Sequence, residues 1–365
     1  MRPDHYHAVD VLRGLAAFAI LVYHYRHMLF PPGVFDIYGG DMAGELPLYD
    51  WLFPFYLYGN WAVQVFWMIS GFVFAKVYAG KDTPGGTFVL RRFARLYPLH
   101  FVTLLIVAAL QPIAVADFGA PLIFGNNDAW HFVLNLFLAS GWGLERGMSF
   151  NAPIWSVSVE ILVYLLFWLV AKPLLRGGIA GPLAIIAAAG AMLMLGAGAP
   201  RIWQCVQYFF IGCALYHVAG HHLRPVRDLA LIAGAAAAAC LALPLLVPGL
   251  RLGNLVLPLA IALVGGAALI DLGRWGAPIR RLRFIGDSTY GTYLWNVPLQ
   301  IAALLLAHRL GIAPEVWQAP AMFFAYLAVC FGAGWLSYVA FERPANRAIL
   351  RWWSARRSAP STLSV

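Results

Sequence analysis

The chain has 365 residues, of which 62% are hydrophobic and 11% are charged, and its formal net charge is +9. A soluble globular protein carries about 25% charged residues, so this composition excludes an ordinary soluble domain and indicates a polytopic membrane protein. The four cysteines form no CxxC pair, which argues against a disulfide framework and against a zinc site. We therefore expect the cysteines to be small apolar packing residues, and we expect no bound metal.

Ten apolar stretches are long enough to cross a bilayer as helices. They run roughly over 9–29, 58–79, 96–116, 152–174, 179–197, 202–219, 227–247, 253–272, 288–309 and 318–341. A shorter run at about 130–142 is interpreted as a re-entrant or interfacial segment. The sequence thus predicts an all-α bundle of about ten transmembrane helices, forming one domain over 1–350 that is followed by a tail over 351–365.

The Lys and Arg residues predict the orientation of this bundle. With the N-terminus in the cytoplasm, most of the 25 lie in cytoplasmic segments, as the positive-inside rule requires. Those left on the outer side are Arg26, Arg146, Arg201, Arg251 and Arg309. Both termini are therefore expected in the cytoplasm. The net charge then reflects topology, and we expect no nucleic-acid partner.

Two outer loops are long, over about 30–57 and 117–151, and both are rich in aromatic residues. Long loops often carry function. Aromatic rings at these places suit the binding of sugar rings, and they suit a membrane interface equally well. The sequence leaves both interpretations open.

The first apolar helix carries an arginine near its start and a histidine near its end. Arg13 and His24 are 11 residues apart, which is about 16 Å along the axis and nearly the same helix face. Ionisable groups at membrane depth are costly and usually face a bundle interior or an aqueous cavity. We expect this stripe to line the working part of the protein.

Other polar groups lie within the predicted spans. Glu160 lies about 12 Å along its helix, where it could meet His24 and fix its tautomer, or else form a structural pair. Ser156 lies on the same face as Glu160. Asn296 belongs to a polar stripe that Tyr293 adjoins; helix–helix hydrogen bonding is the alternative. The stripe comprises Ser288, Thr292, Asn296 and Gln300.

An arginine cluster precedes the third predicted span, and it includes Arg92 and Arg95. Clustered arginines bind phosphates with two-pronged hydrogen bonds. The alternative is a topology determinant that touches lipid headgroups.

Several short motifs, taken in order, resemble those of the acyltransferase 3 family of integral-membrane O-acyltransferases. The first is the spacing of Arg13 and His24, which matches the family's Arg-x10-His signature. The others are DVLRGLAA at 10–17, FWMISGFV at 66–73, RFAR with the following YP at 92–98, WSVSVE at 155–160, STYGTYLW at 288–295 and FERP at 341–344. One position departs, because many members have a histidine where this chain has Asn296.

The resemblance implies transfer of an acyl group, commonly acetyl, from cytoplasmic acyl-CoA to a hydroxyl of an extracytoplasmic glycan, glycolipid or small carbohydrate. Arg92 and Arg95 would then meet the CoA phosphates, and the acyl-bearing arm would pass Arg13. His24, oriented by Glu160, would be the general base; transfer through an acyl-histidine stays open. A bacterial inner membrane is the implied location.

Three further residues are expected to contact substrate, and two other functions stay open. Ser156, Tyr293 and Asn296 would contact substrate. Two alternatives are a transporter of a glycan precursor or small solute, and a signalling or structural membrane protein. Transporters often show internal repeats, and none is visible in this sequence.

Overall fold

The structure is a computed structural model that describes residues 5–35, 42, 44–78, 81, 83–176, 178–273, 276–282 and 286–358. It is all-helical, with 80% of it in helices and no strand among those residues. The main helices are α1 His7–Tyr25, α2 Tyr49–Tyr58, α3 Ala62–Tyr78, α4 Gly85–Phe118, α5 Ala129–Leu136, α6 Trp155–Arg176, α7 Ala180–Met194, α8 Pro200–His221, α9 Pro225–Leu246, α10 Val256–Leu272, α11 Thr289–Arg309, α12 Pro320–Ser337 and α13 Arg343–Ser358.

Each of the ten predicted crossings coincides with a helix, but not all of these helices are equally suited to a membrane. In the described part of the chain, seven helical stretches are long and apolar enough to cross. Helix α7 has 15 residues, or about 22 Å against a hydrocarbon core of about 30 Å. Helices α8 and α11 carry more polar side chains. Crossing by these three, and the cytoplasmic location of both termini, stay predictions.

The run at 130–142 contains the eight-residue helix α5. Its length of about 12 Å is too short to cross a bilayer, which agrees with the non-spanning interpretation. The first predicted outer loop is not wholly irregular, because it contains helix α2. Within that helix Tyr56 is fully buried, whereas Trp51 is 84% exposed.

Helices α3 and α8 cross at very short distance because each contributes a glycine at the crossing. A Cβ atom added at Gly71 would lie 1.8 Å from the Phe209 carbonyl oxygen, and one at Gly212 would lie 1.9 Å from that of Met68. Small residues allow backbones to approach in this way in membrane bundles. This contact fixes α3, whose other face borders the cavity described below.

Helix α1 is held at both ends by other helices. At its start, the buried Asp271 carboxylate of α10 accepts hydrogen bonds from the backbone N–H of Ala8 at 2.9 and 3.0 Å. These are donors that the first turn of a helix cannot satisfy internally. Near its end, Gln300 Nε2 donates to the His24 carbonyl oxygen at 2.7 Å.

The C-terminal helix α13 follows α12 through a wider helical turn at Tyr338–Glu342. The first part of the predicted tail, 351–358, is therefore helical and continuous with α13. The rest of that tail lies outside the described residues.

Candidate active site

A cavity of about 180 Å³ lies between α1, α3, α4, α6 and α11. It brings together six of the side chains that the sequence singled out. Three of them are the cations Arg13, Arg92 and Arg95. The other three are the acid Glu160 and the hydroxyl-bearing residues Ser156 and Tyr293. We call it the arginine cavity.

Arg92 is held by aromatic rings rather than by a carboxylate. Its guanidinium carbon lies 4.7 Å from the centre of the Phe74 ring, and Nη2 donates to Tyr78 OH at 3.1 Å. Stacking on rings suits the planar guanidinium and leaves its charge unneutralised. Its buried Nε has no hydrogen-bond partner. Arg92 is thus oriented and still able to bind an anion.

Arg13 and Arg95 complete the cationic lining. Arg13 Nη1 lies 3.6 Å from Oδ1 of Asp10, one turn earlier on α1. The guanidinium of Arg95 lies 5.9 Å from the centre of the Tyr338 ring. Three guanidinium groups from two helices therefore border one cavity, which suits a ligand with negative charge.

Glu160 lies beside these arginines and not beside His24. It makes side-chain hydrogen bonds with Ser70 and Tyr164, and it lies in the field of Arg92 and Arg13. The predicted contact with His24 is absent from the structure. Glu160 lies at the level of Arg13, which is 11 residues before His24 on α1.

His24 lies outside the lining of the arginine cavity. Its ring stacks on that of His27 with centroids 5.4 Å apart and planes 15° apart. Its Nδ1 is buried and has no hydrogen-bond partner. The geometry therefore separates an anion-binding region at Arg13 from an imidazole pair farther along α1.

The hydroxyl groups of Ser156 on α6 and Tyr293 on α11 are hydrogen-bonded to each other. The hydroxyl oxygens are 3.0 Å apart, and both reach the carbonyl oxygen of Pro153. With Tyr293 donating to that carbonyl and Ser156 donating to Tyr293, both hydroxyl hydrogens are used inside the protein. A ligand in the cavity therefore meets lone pairs and the ring face rather than free donors.

Asn296 is not part of the lining of the arginine cavity and links helices. Its Oδ1 accepts a hydrogen bond from Tyr326 OH at 2.6 Å, and the side chain is fully buried. Gln300, one turn later, holds the carbonyl of His24. These two members of the polar stripe thus bind neighbouring helices, which was the alternative interpretation of the pattern. Nδ2 of Asn296 has no partner.

Sequence reasoning missed three buried polar residues. His27 is 3% exposed with neither ring nitrogen hydrogen-bonded, and Arg26 is 5% exposed. His100 is fully buried inside α4, where Nε2 bonds the Asn135 carbonyl oxygen at 2.8 Å. The three-residue spacing of His24 and His27 places both rings on one helix face, and this spacing was the available signal.

One group of side chains in the described residues has the spacing of metal ligands. Candidate ligand atoms of His5, His7 and Asp10 lie within 4.8 Å of one another. Asp10 already contacts His5 and lies near Arg13, so its carboxylate has partners without a metal. The group lies at the start of α1, outside the lining of the arginine cavity.

Comparison with known proteins identifies the family. The model of a family described as acyltransferase domain matches residues 6–339. The chain is 39% identical over 111 residues to acyltransferase MdmB of Streptomyces mycarofaciens, which covers 30% of this chain and 27% of that protein. It is 32% identical over 177 residues to protein 2 in picA locus of Rhizobium radiobacter, covering 44% of this chain and 80% of that protein.

No solved structure matches the chain. The match to MdmB spans only about a quarter of that protein, whereas the family model spans nearly all of this chain. The family model therefore carries the assignment of the family. The chain belongs to the acyltransferase 3 family.

Proposed function

We propose that the protein is a bacterial inner-membrane O-acyltransferase that moves an acyl group, commonly acetyl, from cytoplasmic acyl-CoA to a hydroxyl of an extracytoplasmic carbohydrate or glycolipid. The observation that carries the proposal is the arginine cavity, where Arg13, Arg92 and Arg95 converge from α1 and α4. A donor with several phosphates is the kind of ligand that such a cavity favours. Both named relatives come from bacteria, which supports the location.

In this proposal the two regions of α1 divide the work. The arginine cavity holds the donor, and its pantetheine arm extends along α1 toward His24, about 16 Å away. His24 takes the proton of the acceptor hydroxyl, whose oxygen attacks the thioester carbonyl. The carbon–sulfur bond breaks, and the CoA thiolate leaves and is protonated.

In this proposal His27 and Glu160 have supporting tasks, and neither acts as the carboxylate that orients a catalytic histidine. The stacked ring of His27 restricts the rotation of His24. Glu160, hydrogen-bonded with Ser70 and Tyr164, limits the positive charge of the arginine cavity and keeps it polar when no donor is bound. Neither task requires contact between Glu160 and His24.

Variants at His24 test the proposal. Membranes of cells that make the full chain are incubated with radiolabelled acetyl-CoA, and free CoA and label in the glycan and lipid fractions are measured. General-base catalysis typically contributes about 10²–10⁴-fold, so His24→Ala lowers turnover by that factor with an unchanged KM for acetyl-CoA. His24→Gln does not restore it, because an amide cannot take a proton.

His100→Gln is the matched control, because it also removes a buried imidazole, one that lies on α4, bonds the Asn135 carbonyl oxygen and has no part in the proposed reaction. It is expected to leave turnover within a few-fold of the unmodified chain. Membranes without the protein give the background. Near-normal turnover in well-inserted His24→Ala protein would refute the assignment of the base, and absence of any acetyl-CoA consumption above background would refute the donor.

A further inference from the structure

A second cavity of about 230 Å³ adjoins the arginine cavity on the side of the C-terminal helix. Its lining residues are all charged or polar or carry a hydroxyl, and Arg95 belongs to both cavities. The lining residues are Arg95, Tyr338, Glu342, Arg343, Asn346 and Arg347. We call it the C-terminal cavity. Two of its basic residues come from the C-terminal helix: Arg343 lies in the FERP motif, and Arg347 lies one turn later.

Two guanidinium groups in this cavity share one aromatic ring. The Tyr338 ring lies 5.9 Å from Arg95 and 5.7 Å from Arg343, measured from each guanidinium carbon to the ring centre. Both guanidinium groups thus lie within cation–π distance of one ring, and the Glu342 carboxylate lies in the field of Arg95. Arg347 lies one helical turn beyond Arg343 on the same face of α13.

The charges of the cavity favour an anion. Three guanidinium groups line it against one carboxylate, that of Glu342, which is 5% exposed and therefore covered by its neighbours. Arg343 and Arg347 are exposed at the mouth. Asn346, between them, adds an amide donor. Guanidinium forks at this spacing match phosphate oxygens better than a single carboxylate.

We propose that the C-terminal cavity binds the phosphate-bearing nucleotide end of the acyl-CoA donor. Arg95, as the shared wall, then marks the place where the donor turns from the nucleotide cavity into the arginine cavity. The inference rests on the proposed function, since it assumes a CoA thioester as donor. It assigns Arg343 and Arg347 to the 3′-phosphoadenosine part of the donor, and it leaves the diphosphate and the pantetheine arm to Arg92 and Arg13.

A nucleotide fragment tests the site without catalysis. Adenosine 3′,5′-bisphosphate, which has phosphates but no pantetheine arm, is titrated calorimetrically into the full chain in lipid-free detergent. The double variant Arg343→Gln, Arg347→Gln is expected to bind the bisphosphate about tenfold to a hundredfold more weakly, which is the loss typical of one charge-assisted hydrogen bond. Arg356→Gln is the matched control, because Arg356 lies on the same helix but stacks on Trp352 at 4.2 Å; its affinity is expected to stay unchanged.

Kinetics with two donors provide the second measurement. In the double variant the KM for acetyl-CoA is expected to rise by the same factor, while the KM for S-acetylpantetheine, which lacks the nucleotide, stays unchanged. An equal rise for both donors would overturn the proposal. So would failure of the fragment to bind the unmodified chain while phosphatidylglycerol in nanodiscs does bind there, since the cavity would then be a lipid-headgroup site.

The two proposals fail differently. If the double variant binds the fragment and acetyl-CoA like the unmodified chain while Arg92→Ala raises the KM, the inference is wrong and the proposed donor stands. If the unmodified chain never consumes acetyl-CoA, the donor itself is wrong.

Discussion

Replacement of Glu160 by glutamine separates two roles for this acid. If Glu160 only moderates the charge of the arginine cavity, Glu160→Gln makes the cavity more positive and strengthens donor binding. If it oriented His24, the same change would lower kcat and shift the pH–rate profile. The structure favours the first role, because Glu160 bonds Ser70 and Tyr164 while His24 stacks on His27.

The magnitude follows from Coulomb's law and the size of the site. Across a cavity of about 180 Å³, a donor phosphate lies on the order of 7 Å from the carboxylate. With an effective dielectric constant of about 20, the repulsion that is removed is about 2 kcal/mol, or roughly thirtyfold in affinity as an upper limit. Glutamine keeps the shape and can still hydrogen-bond Ser70 and Tyr164, so we expect kcat to change by less than about threefold.

The assay is the KM for acetyl-CoA and the kcat in membranes that contain each variant. Glu145→Gln is the matched control: Glu145 pairs with Arg201 at 3.4 Å, outside the arginine cavity, and its replacement is expected to change neither constant. A kcat that falls a hundredfold with an unchanged KM would refute the charge-balancing role. Such a result would restore an interaction between Glu160 and the catalytic base.

Three further predictions concern other residues. Arg92→Lys keeps the charge but loses the planar fork and the ring stacking, so the KM for acetyl-CoA is expected to rise about tenfold; an unchanged KM would contradict this. Asn296→Leu leaves a buried hydroxyl unpaired and is expected to cost about 1–3 kcal/mol, seen as a lower Tm in detergent, whereas Asn296→His retains a hydrogen-bonding ring and a Tm nearer that of the unmodified chain. The backbone N–H and ring of His131 hold the pKa of the Asp128 carboxyl below its usual value. That contribution is present above the ordinary pKa and is lost as the pH falls through the lowered one. The protection factors of the α5 amides, which allow for the slower intrinsic exchange in acid, should therefore fall on acidification in the unmodified chain and not in Asp128→Asn.

The helices were predictable because their signals are local. Each of the ten apolar stretches became a helix, since a run of apolar residues in a bilayer has to satisfy its own backbone hydrogen bonds. The lengths of the apolar stretches did not distinguish the seven helical stretches that are long and apolar enough to cross from helices α7, α8 and α11. Helix α11 carries Asn296 and Gln300 toward the bundle interior, and this polarity lowers its mean hydropathy without preventing its burial.

The membership of the arginine cavity was also largely predictable, while its geometry was not. Arg13, Arg92 and Arg95 stand in motifs whose residue types indicate anion binding, and the structure places all three on one cavity. The position of Glu160 beside Arg13 rather than beside His24 depends on how the helices pack, which is a tertiary property. The sharing of Tyr338 by two guanidinium groups joins residues more than 240 positions apart, and no local pattern reports it.

Helix α1 explains why the two regions of the site can be assembled by different helices and still work together. Arg13 and His24 belong to one rigid helix, so their separation of about 16 Å is set by the helical rise and not by tertiary packing. Asp271 fixes the start of this helix and Gln300 fixes its end. The other helices then have only to place their side chains around α1, along which this distance is constant. A substitution elsewhere can change the charge of the arginine cavity, but the distance over which the donor arm must reach the imidazole stays the same.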